Sequence, residues 1–540
     1  MKTSCKILDC TLRDGAYLID KDFGRENIVG IIDGLIKANI DIVEIGFLQD
    51  EGQAEGKTVF FNSKDAKQYI PVRKQGQMFA VMADYSRYNV NNLDDNDGNS
   101  FDIVRECFFK HERYQALEVC KKIKEKGYRV FIQPVDILGY SDLELIELLN
   151  EVNKIEPYCI SIVDTFGSMY LDDLDRVFSI IHHNLIDTIS IGFHSHNNMQ
   201  MSSALSQRFI ELCGSKRNGI VDTTISGMGR GAGNTPTELV AEYMVRRLRK
   251  NYDIDAILSI IDTYMENIKA RCTWGYSADF FIAGSYSSHV NNVAYLRKKT
   301  SIASKDMRFI LNKLSGEQRK RYDYDLLEKT YLEHLDIQID DSATLEKLKE
   351  ELSHKHIVIL APGKNAIKEK EIIKRYIKEK SAIVISVNYV HDEICSDYIY
   401  ISNKNRYSMI KDSPKLCSVK KIMGANLEVD STEDTYIISI DKFIKCGWIH
   451  FDNSIVILLR LLDILNVKSI GIAGADGYNL NENGNYYDKS YEKISAYREA
   501  IELNSEMISM LEDYKKTRYN HEIPIEFITS SRYAKVFNRG

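Results

Sequence analysis

The segment ISIGFHSHNN, residues 189–198, has the pattern of a buried β-strand and ends in two histidines. Apolar residues alternate along its first half, and His194 and His196 follow with one residue between them. Side chains two apart in a strand point to the same side, so both imidazoles can face one point, as ligands of a divalent metal do. Such a pair is also common as an ordinary histidine pair without a ligand. The other strands must therefore supply the missing ligands.

Strand-like runs alternate with helical segments over the first 250 residues. Eight such runs occur: CKILDCTL, DIVEIGF, MFAVMAD, IVRECFF, RVFIQPV, CISIVDT, TISIGFHSH and GIVDTTIS. Between them, apolar residues recur at steps of three and four, which is typical of amphipathic helices. Eight strand–helix units in about 250 residues fit a TIM barrel, whereas an open doubly wound sheet would normally stop at five to seven strands. We predict a TIM (β/α)8 barrel over residues 1–250.

The rest of the chain divides into two further segments. Residues 251–350 are charged and helical, interrupted by WGYSADFFIAGSYSSHVNN, and are predicted to be a helical extension that completes the active site. A second strand–helix pattern begins at HIVILAPGKN and includes SIGIAGADGY. This pattern predicts a Rossmann-like α/β domain over residues 351–540. We expect the boundary near residues 345–355.

Composition narrows the class of protein. The 540 residues carry a net charge of -7, with 44% hydrophobic and 28% charged residues. There is no basic excess, which argues against nucleic acid as a partner. No apolar run approaches the roughly 20 residues needed to span a bilayer, and the N-terminus lacks a signal-peptide pattern. The sequence therefore predicts a cytoplasmic protein without a membrane partner.

Polar residues gather at the ends of the predicted barrel strands, where the active site of a TIM barrel lies. They are Asp9, Thr11, Arg13, Asp14, Glu44, Gln133, Asp164, Thr165, His194, His196 and Asn234. Each has a structural explanation, such as a buried ion pair or a helix cap, but their convergence favours a site. One carboxylate, that of Asp14, and the two imidazoles make an oxygen and nitrogen site suited to Mn²⁺, Mg²⁺, Co²⁺ or Zn²⁺.

Three motifs resemble those of the DRE-TIM metallolyases, the HMG-CoA lyase-like superfamily. These are DCTLRDG on the first strand, GFHSHNN on the seventh and GMGRGAGN after the eighth. The resemblance covers roughly residues 4–300. It implies that Asp14, His194 and His196 bind a divalent metal, most simply Mn²⁺, with Asn234 near or on it. It also implies that Arg13 stabilises an enolate or alkoxide oxygen.

Within the superfamily, the loop after the eighth strand is similar to that of the 4-hydroxy-2-oxovalerate aldolases. It lacks the Glu-Arg pair of synthases similar to isopropylmalate synthase. In VDTFGSM, Thr165 takes the place of a serine that holds the pyruvate carboxylate, and in AGSYSSH, Tyr286 falls on an active-site tyrosine. Glu44 and Gln133 are expected to contact the substrate from neighbouring strand ends.

One position departs from the aldolase pattern. The aldolases have a catalytic histidine three residues after the metal aspartate, where this chain has Tyr17. A phenol, with its pKa of about 10, is a poor base. We expect Tyr17 to move the proton through a water, or another group to do so, with His111 just past the fourth strand as a candidate.

The predicted activity is that of a metal-dependent carbon–carbon lyase. It would cleave a 4-hydroxy-2-oxo acid into a pyruvate-type enolate and an aldehyde, or run in reverse. One alternative is an acyl-CoA-dependent Claisen condensing enzyme. Another is a non-catalytic barrel that serves as a scaffold for the C-terminal domain. A homo-oligomer is expected.

Two strand ends of the C-terminal segment are candidate ligand contacts. APGKN, residues 361–365, could place backbone amides against a phosphate, although an ordinary tight turn also explains it. Asp476 in AGADGY follows another strand, with a structural turn aspartate as the alternative. The hypothesis is a nucleotide or nucleotide-sugar module, which would make the protein bifunctional in building a surface saccharide.

Overall fold

The computed structural model describes residues 4–71, 73–299, 302–337, 339–429, 432–451, 453–481, 484–492 and 499–537. No helix within those ranges combines the length and the apolar character needed to cross a membrane. Internal contacts divide the chain into two units: residues 1–293 with 316–321, and residues 294–315 with 322–540. The division falls earlier in the chain than the expected boundary near 345–355. An independently folding domain over residues 351–540 stays a prediction.

Parallel strands form the sheet of the first unit. Their bounds are Lys6–Asp9 (β1), Ile42–Leu48 (β2), Val59–Phe60 (β3), Met78–Asp84 (β4), Ile103–Phe108 (β5), Arg129–Pro134 (β6), Cys159–Asp164 (β7), Ser190–Ser195 (β8) and Gly219–Thr223 (β9). All eight predicted strands are confirmed. The short β3, which pairs with the end of β2, was not predicted, because two residues carry no periodicity.

The sheet closes on itself. Its strand order is β1-β9-β8-β7-β6-β5-β4-β2-β3, and β1 also pairs with β2. Leu8 of β1 lies opposite Ile42 on one side and Asp222 on the other. Because every barrel strand then has two parallel neighbours, the predicted TIM (β/α)8 barrel is confirmed.

Helices follow the strands along the chain. Up to residue 297 the α-helices are Arg25–Lys37 (α1), Ser63–Lys67 (α2), Arg113–Glu125 (α3), Asp142–Ile155 (α4), Leu171–Asn184 (α5), Ser202–Cys213 (α6), Thr237–Leu248 (α7), Ile254–Ile260 (α8), Glu266–Lys269 (α9), Ala278–Ser285 (α10) and Val290–Arg297 (α11). Their apolar faces cover the outside of the barrel. Ile28, Ile31, Ile32 and Leu35 of α1, for example, are fully buried.

The interior of the barrel has two layers. The lower layer is apolar and buried, and comprises Leu8, Cys10, Ile42, Met78, Ala80, Ile103, Phe131, Cys159 and Ile220. Two residues further along several of these strands stand Glu44, Arg105, Gln133, Ser161 and Asp222, which are also buried. Residues two apart share a face of a strand. The strand period therefore stacks a polar layer on an apolar floor, toward the carboxyl ends.

The second unit contains a parallel sheet of seven strands. They are His356–Leu360 (β10), Ile383–Val387 (β11), Tyr398–Ile401 (β12), Lys420–Gly424 (β13), Thr435–Ile438 (β14), Ser469–Ala473 (β15) and Ile525–Phe527 (β16). The order is β14-β13-β12-β11-β10-β15-β16. β10 lies inside the sheet between β11 and β15, and the chain runs outward from it on both sides. This confirms the predicted Rossmann-like parallel sheet.

Further helices lie along the chain before and between these strands. They are Ser304–Lys313 (α12), Gly316–Lys320 (α13), Tyr324–Leu335 (α14), Ser342–Leu352 (α15), Asn365–Lys368 (α16), Lys370–Lys380 (α17), Lys404–Ile410 (α18), Ser454–Ile464 (α19) and Ala500–Thr517 (α20). α19 is buried on most of its surface, with Val456, Ile457, Leu458 and Leu459 fully covered.

Candidate metal centre

Asp14, His194 and His196 come together at the carboxyl end of the barrel. The Nε2 atoms of His194 and His196 lie 3.0 and 3.6 Å from the Asp14 Oδ2. Ligands about 2.1 Å from one metal and at right angles are about 3 Å apart, so these separations suit a shared ion. The three residues form a group that could hold a divalent metal.

Local structure explains the convergence. His194 lies on β8 and His196 one residue past its end, so both imidazoles face the barrel interior. Asp14 closes a tight turn after β1, in which its backbone N–H donates to the Cys10 carbonyl at 2.8 Å. The next position suits glycine, since a Cβ on residue 15 would stand 2.8 Å from the sulfur of Met228.

The second nitrogen of each imidazole has its own partner. His194 Nδ1 lies 3.0 Å from Asp222 Oδ2, and His196 Nδ1 lies 2.9 Å from the Asp164 carbonyl oxygen. With acceptors at Nδ1, both rings carry a proton there, and the Nε2 atoms lie on the side of Asp14. Metal-binding histidines in proteins are oriented in the same way.

Two buried oxygens at the site make no hydrogen bond of good geometry within the described residues, although one of them lies 3.0 Å from His194 Nε2. They are Asp14 Oδ2 and Asn234 Oδ1. Asn234 pairs with His196 through the backbone and donates its amide N–H to the Met228 carbonyl at 3.1 Å. Buried oxygens without donors are costly unless a cation meets them. The residues therefore fit a divalent metal, and a place for Asn234 on it stays a prediction.

Alternating charges surround these ligands. Arg13 Nε donates to Glu44 Oε2 at 2.9 Å, Arg105 Nη1 donates to the same oxygen at 2.8 Å, and Arg105 Nη2 is paired with Asp222. Two guanidinium groups thus face three carboxylates, those of Asp14, Glu44 and Asp222.

The pKa values of the ligands follow from burial and these neighbours. Burial works against the Asp14 carboxylate, but Arg13 and the two histidines hold its pKa well below the usual range. Burial likewise opposes the His194 imidazolium, yet its contacts with Asp14 and Asp222 raise its pKa. Burial lowers the pKa of His196 to about 4. Asp14 is thus ionised and His196 neutral at neutral pH, as ligation requires.

Four predicted substrate-side residues lie on different strands and loops. Glu44 is fully buried and bonded to both arginines. Gln133 is buried beside Ser161 Oγ at 2.7 Å. Thr165 Oγ1 accepts from the Asp136 backbone N–H at 2.7 Å, and Tyr286 stacks under the Arg319 guanidinium at 5.7 Å. Their contacts with a substrate stay predictions.

Tyr17 lies beside the metal group but is a weak base. The Arg230 guanidinium stands 4.0 Å above its ring, and Phe47 packs edge-on at 5.2 Å. Burial raises the pKa of the phenol, although Arg230 and Arg13 oppose the rise. A phenol that stays protonated at neutral pH is suited to donating a hydrogen bond.

His111 is not among the residues that the barrel brings together. Its side chain is 69% exposed, on a short 3-10 turn after β5. Its ring stacks on that of Phe109, and its Nε2 lies 4.0 Å from Glu112 Oε1. Neither contact connects it with Asp14.

The site includes residues that the sequence analysis did not assign. Two of them are Arg105, which orients Glu44, and Asp222, which orients His194. Both are charged residues inside apolar strand runs, and that is the sequence signal by which they could have been identified. The other two residues that the sequence analysis did not assign are Arg230 and His289. Burial lowers the pKa of His289 to about 4, and the nearby charges of Arg230 and His196 act in the same direction. His289 stands in the aromatic segment after α10, which the sequence marked only as a cluster.

A closed parallel barrel with an Asp–His–His group at the carboxyl ends of its strands is a metal-site TIM-barrel domain. Residues 4–263 match the model of the HMGL-like family, and this part of the chain belongs to that family. The resemblance to the HMG-CoA lyase-like superfamily is confirmed. The C-terminal segment lies outside the match.

Relatives extend the comparison. The chain is 24% identical over 331 residues to the 4-hydroxy-2-oxovalerate aldolase of Pseudoalteromonas translucida (strain TAC 125), covering 57% of this chain and 89% of the relative. It is 25% identical over 277 residues to the oxaloacetate decarboxylase of Mycobacterium tuberculosis (strain ATCC 25618 / H37Rv), covering 51% and 79%. The solved HMG-CoA lyase of Bacillus subtilis is 16% identical, with a TM-score of 0.41, covering 50% and 93%.

Proposed function

We propose that the barrel is a divalent-metal-dependent lyase that breaks or forms a carbon–carbon bond next to a pyruvate-type enolate, with 4-hydroxy-2-oxo acids as the substrate class. The observation that carries the proposal is the convergence of Asp14, His194 and His196, with both Nδ1 atoms already bonded elsewhere. Asn234 would complete the ligand set. Mn²⁺ is the proposed ion, with Mg²⁺, Co²⁺ or Zn²⁺ as other occupants.

The chain's own residues divide the remaining work. A bound metal would act as a Lewis acid toward the oxygens of a 2-oxo acid. Arg13, 7% exposed, would donate to the oxygen on which negative charge develops, while Glu44 holds its Nε. Thr165, Gln133 and Tyr286 would bind and orient the substrate from the strand ends around it.

Replacing Arg13 by Ala is expected to lower turnover by about 10² to 10³, the usual effect of losing one such donor. The metal content should stay near one per chain, since Arg13 is assigned to the developing charge and not to the ion. Turnover and metal analysis of the purified variant measure both. If Arg13→Ala loses the metal while Arg13→Lys keeps it, Arg13 acts by holding Asp14, which lies 3.4 Å away.

Proton transfer is proposed to involve Tyr17 and His289. With its pKa near 4, His289 is neutral above that pH, and because its Nδ1 accepts from the Asn291 backbone N–H at 3.1 Å, its proton is on Nε2. Tyr17, whose pKa is raised, would relay the substrate proton through its hydroxyl to a water, while the His289 Nε2–H would donate to a substrate oxygen. This division replaces the histidine that the aldolase pattern has at position 17.

The pair can be separated by pH profiles. His289→Gln is expected to lower turnover by about 10² to 10³, the usual effect of losing one donor to a developing charge, without changing the shape of the pH profile. Tyr17→Phe should lower turnover and change the profile, because it removes the group that relays the proton. A changed profile in His289→Gln, together with an unchanged one in Tyr17→Phe, would make His289 the base.

The activity itself is tested with three substrates. Purified protein with Mn²⁺ is incubated with a 4-hydroxy-2-oxo acid, with oxaloacetate, or with pyruvate in deuterated water. Pyruvate release from the first supports the aldolase. Pyruvate release from oxaloacetate, without release from the 4-hydroxy-2-oxo acid, supports a decarboxylase. That candidate is suggested by the name of the mycobacterial relative. Exchange of the pyruvate methyl protons reports enolate chemistry common to both.

The alternatives have distinct readouts. Release of free thiol from an acyl-CoA would support the Claisen-type enzyme, and metal binding without any turnover would support the scaffold. A homo-oligomer, a cytoplasmic location and a role in surface-saccharide synthesis remain predictions.

A further inference from the structure

A cavity of about 360 Å³ opens at the carboxyl ends of β10, β11, β12 and β15. The chain leaves β10 for β11 on one side, and returns to its other side with β15 only after β14. Open parallel sheets bind ligands in the crevice at such a switch point. The volume lies at the lower end of the range of small-molecule sites, which is about 300 to 1,000 Å³.

Two glycines bring a carboxylate to the floor of this cavity. A Cβ on Gly363 would stand 2.3 Å from the Gly474 oxygen and 2.6 Å from Asp476 Cγ, and Gly474 has a φ of +69°. This close approach lets Asp476 Oδ2 accept from the Asn365 backbone N–H at 2.8 Å. Asp476 Oδ1 is buried and meets no hydrogen-bond donor in the described part of the chain. A ligand hydroxyl would satisfy it.

Arg406 supplies a positively charged group to the cavity. Its guanidinium stands 5.4 Å from the Tyr486 ring and 4.9 Å from the Tyr491 ring, and Nη2 donates to the Tyr491 carbonyl at 2.6 Å. Within the described ranges, the Arg406 guanidinium donates to no other oxygen. Held on aromatic faces with N–H groups to spare, it is suited to an anion with several oxygens.

The other charged groups at the cavity are already paired. Glu506 Oε2 lies 2.5 Å from His450 Nδ1, and its Oε1 accepts from the Ile449 backbone N–H at 2.9 Å. Glu492 accepts from the backbone and the side-chain amide of Asn485 at 2.9 and 2.8 Å. Arg406 and Asp476 are therefore the charged side chains left for a ligand.

Aromatic faces line the space between them. Tyr486 and Tyr491 form what we term the tyrosine wall, and the fully buried Tyr389 packs against Tyr491. Tyr389 is held by a hydrogen bond from its hydroxyl to the Ala361 carbonyl at 3.0 Å, and its ring centroid lies 6.2 Å from that of Tyr491. Flat, fixed rings of this kind stack well on a planar heterocycle.

We propose that the cavity binds a nucleoside phosphate, with Arg406 on the phosphate, Asp476 on a sugar hydroxyl and the tyrosine wall against the base. A nucleoside phosphate combines the anion, the hydroxyl donor and the planar ring that these three features would each meet. A plain phosphate would leave Asp476 and the wall unused, and a neutral sugar would leave Arg406 unused. The site lies within the second unit and does not depend on the activity proposed for the barrel.

Calorimetric titration of the full-length protein tests the assignment. The probes are AMP, GMP, CMP and UMP, their nucleosides, ribose 5-phosphate and inorganic phosphate. We expect at least one of the four nucleotides to bind, with a stoichiometry of one per chain. Arg406→Gln should weaken that binding by about tenfold or more, as expected for losing a charged hydrogen-bond donor. Asp476→Asn should weaken binding of the ribonucleotide more than that of its 2′,3′-dideoxy counterpart. The matched control is Arg375→Gln, an exposed arginine on α17 that does not line the cavity, and it should bind as the wild type does.

The proposal is wrong if no nucleotide binds, if inorganic phosphate binds as tightly as the best nucleotide, or if Arg406→Gln and Arg375→Gln bind alike. Binding of a nucleoside as tightly as its phosphate would also overturn the role of Arg406. The thermal unfolding midpoint of each variant shows whether it is folded. If Arg406→Gln is not folded, Arg406→Lys replaces it. The lysine keeps the charge and loses the planar fork, and an unchanged affinity for the nucleotide would contradict the proposal.

Discussion

Asp14→Asn and His194→Ala are expected to lose the metal and to lower turnover by about three orders of magnitude or more. Each substitution removes one of three atoms that meet at one point, and the charge stabilisation supplied by a bound metal is worth several kcal/mol. Dialysis of the wild-type protein against a chelator should abolish turnover in the same way, and added Mn²⁺ or Co²⁺ should restore it. Metal analysis and turnover of the dialysed and reloaded proteins are the measurements.

His111→Ala is the matched control for the histidine variants, because His111 is exposed on a turn outside the group. It should keep both metal and turnover. Full activity in metal-free protein would end the proposed lyase mechanism. A loss of turnover in His111→Ala with metal retained would return the proton-transfer role to that residue.

Arg105→Met is expected to destabilise the folded barrel by about 3 to 5 kcal/mol. Arg105 is fully buried and is bonded to both Glu44 and Asp222, so its removal leaves Asp222 without its main cation and Glu44 with Arg13 alone. Urea unfolding of the full-length protein, followed by circular dichroism, measures the change in the free energy of unfolding.

Arg87→Met provides the comparison for Arg105→Met. The Arg87 side chain is 54% exposed and approaches Asp84 at 3.8 Å. Exposed pairs contribute about 0 to 1 kcal/mol, so this variant should unfold close to the wild type. If both variants unfold alike, the buried charges are not coupled to the fold as their contacts imply.

Much of the barrel was predictable from the sequence because both of its signals are local. Short apolar runs between helical segments identified all eight strands, and the strand period of two put His194 and His196 on one face. The metal aspartate came from the DCTLRDG motif. The layered interior also follows from period two, since Glu44, Arg105 and Asp222 each stand two residues beyond an apolar floor residue.

The remaining site residues depend on contacts that no local pattern encodes. Arg230 stacks on Tyr17, and His289 stands near Arg230 and His196, although far apart in sequence. In the C-terminal sheet, Asp476 was found from its strand end. Arg406 and Tyr491 were not, because they follow no strand directly and reach the cavity only through folding.

The apolar floor of the barrel has a kinetic consequence. Within the described residues, buried side chains fill the barrel below the polar layer, so the metal group is approached from the carboxyl end. A compound lying deepest must then arrive before, and depart after, any second compound that lies above it. For the proposed lyase this predicts an ordered mechanism in which the 2-oxo acid partner is the last product released. In product-inhibition experiments pyruvate, and not the aldehyde, should therefore compete with the substrate.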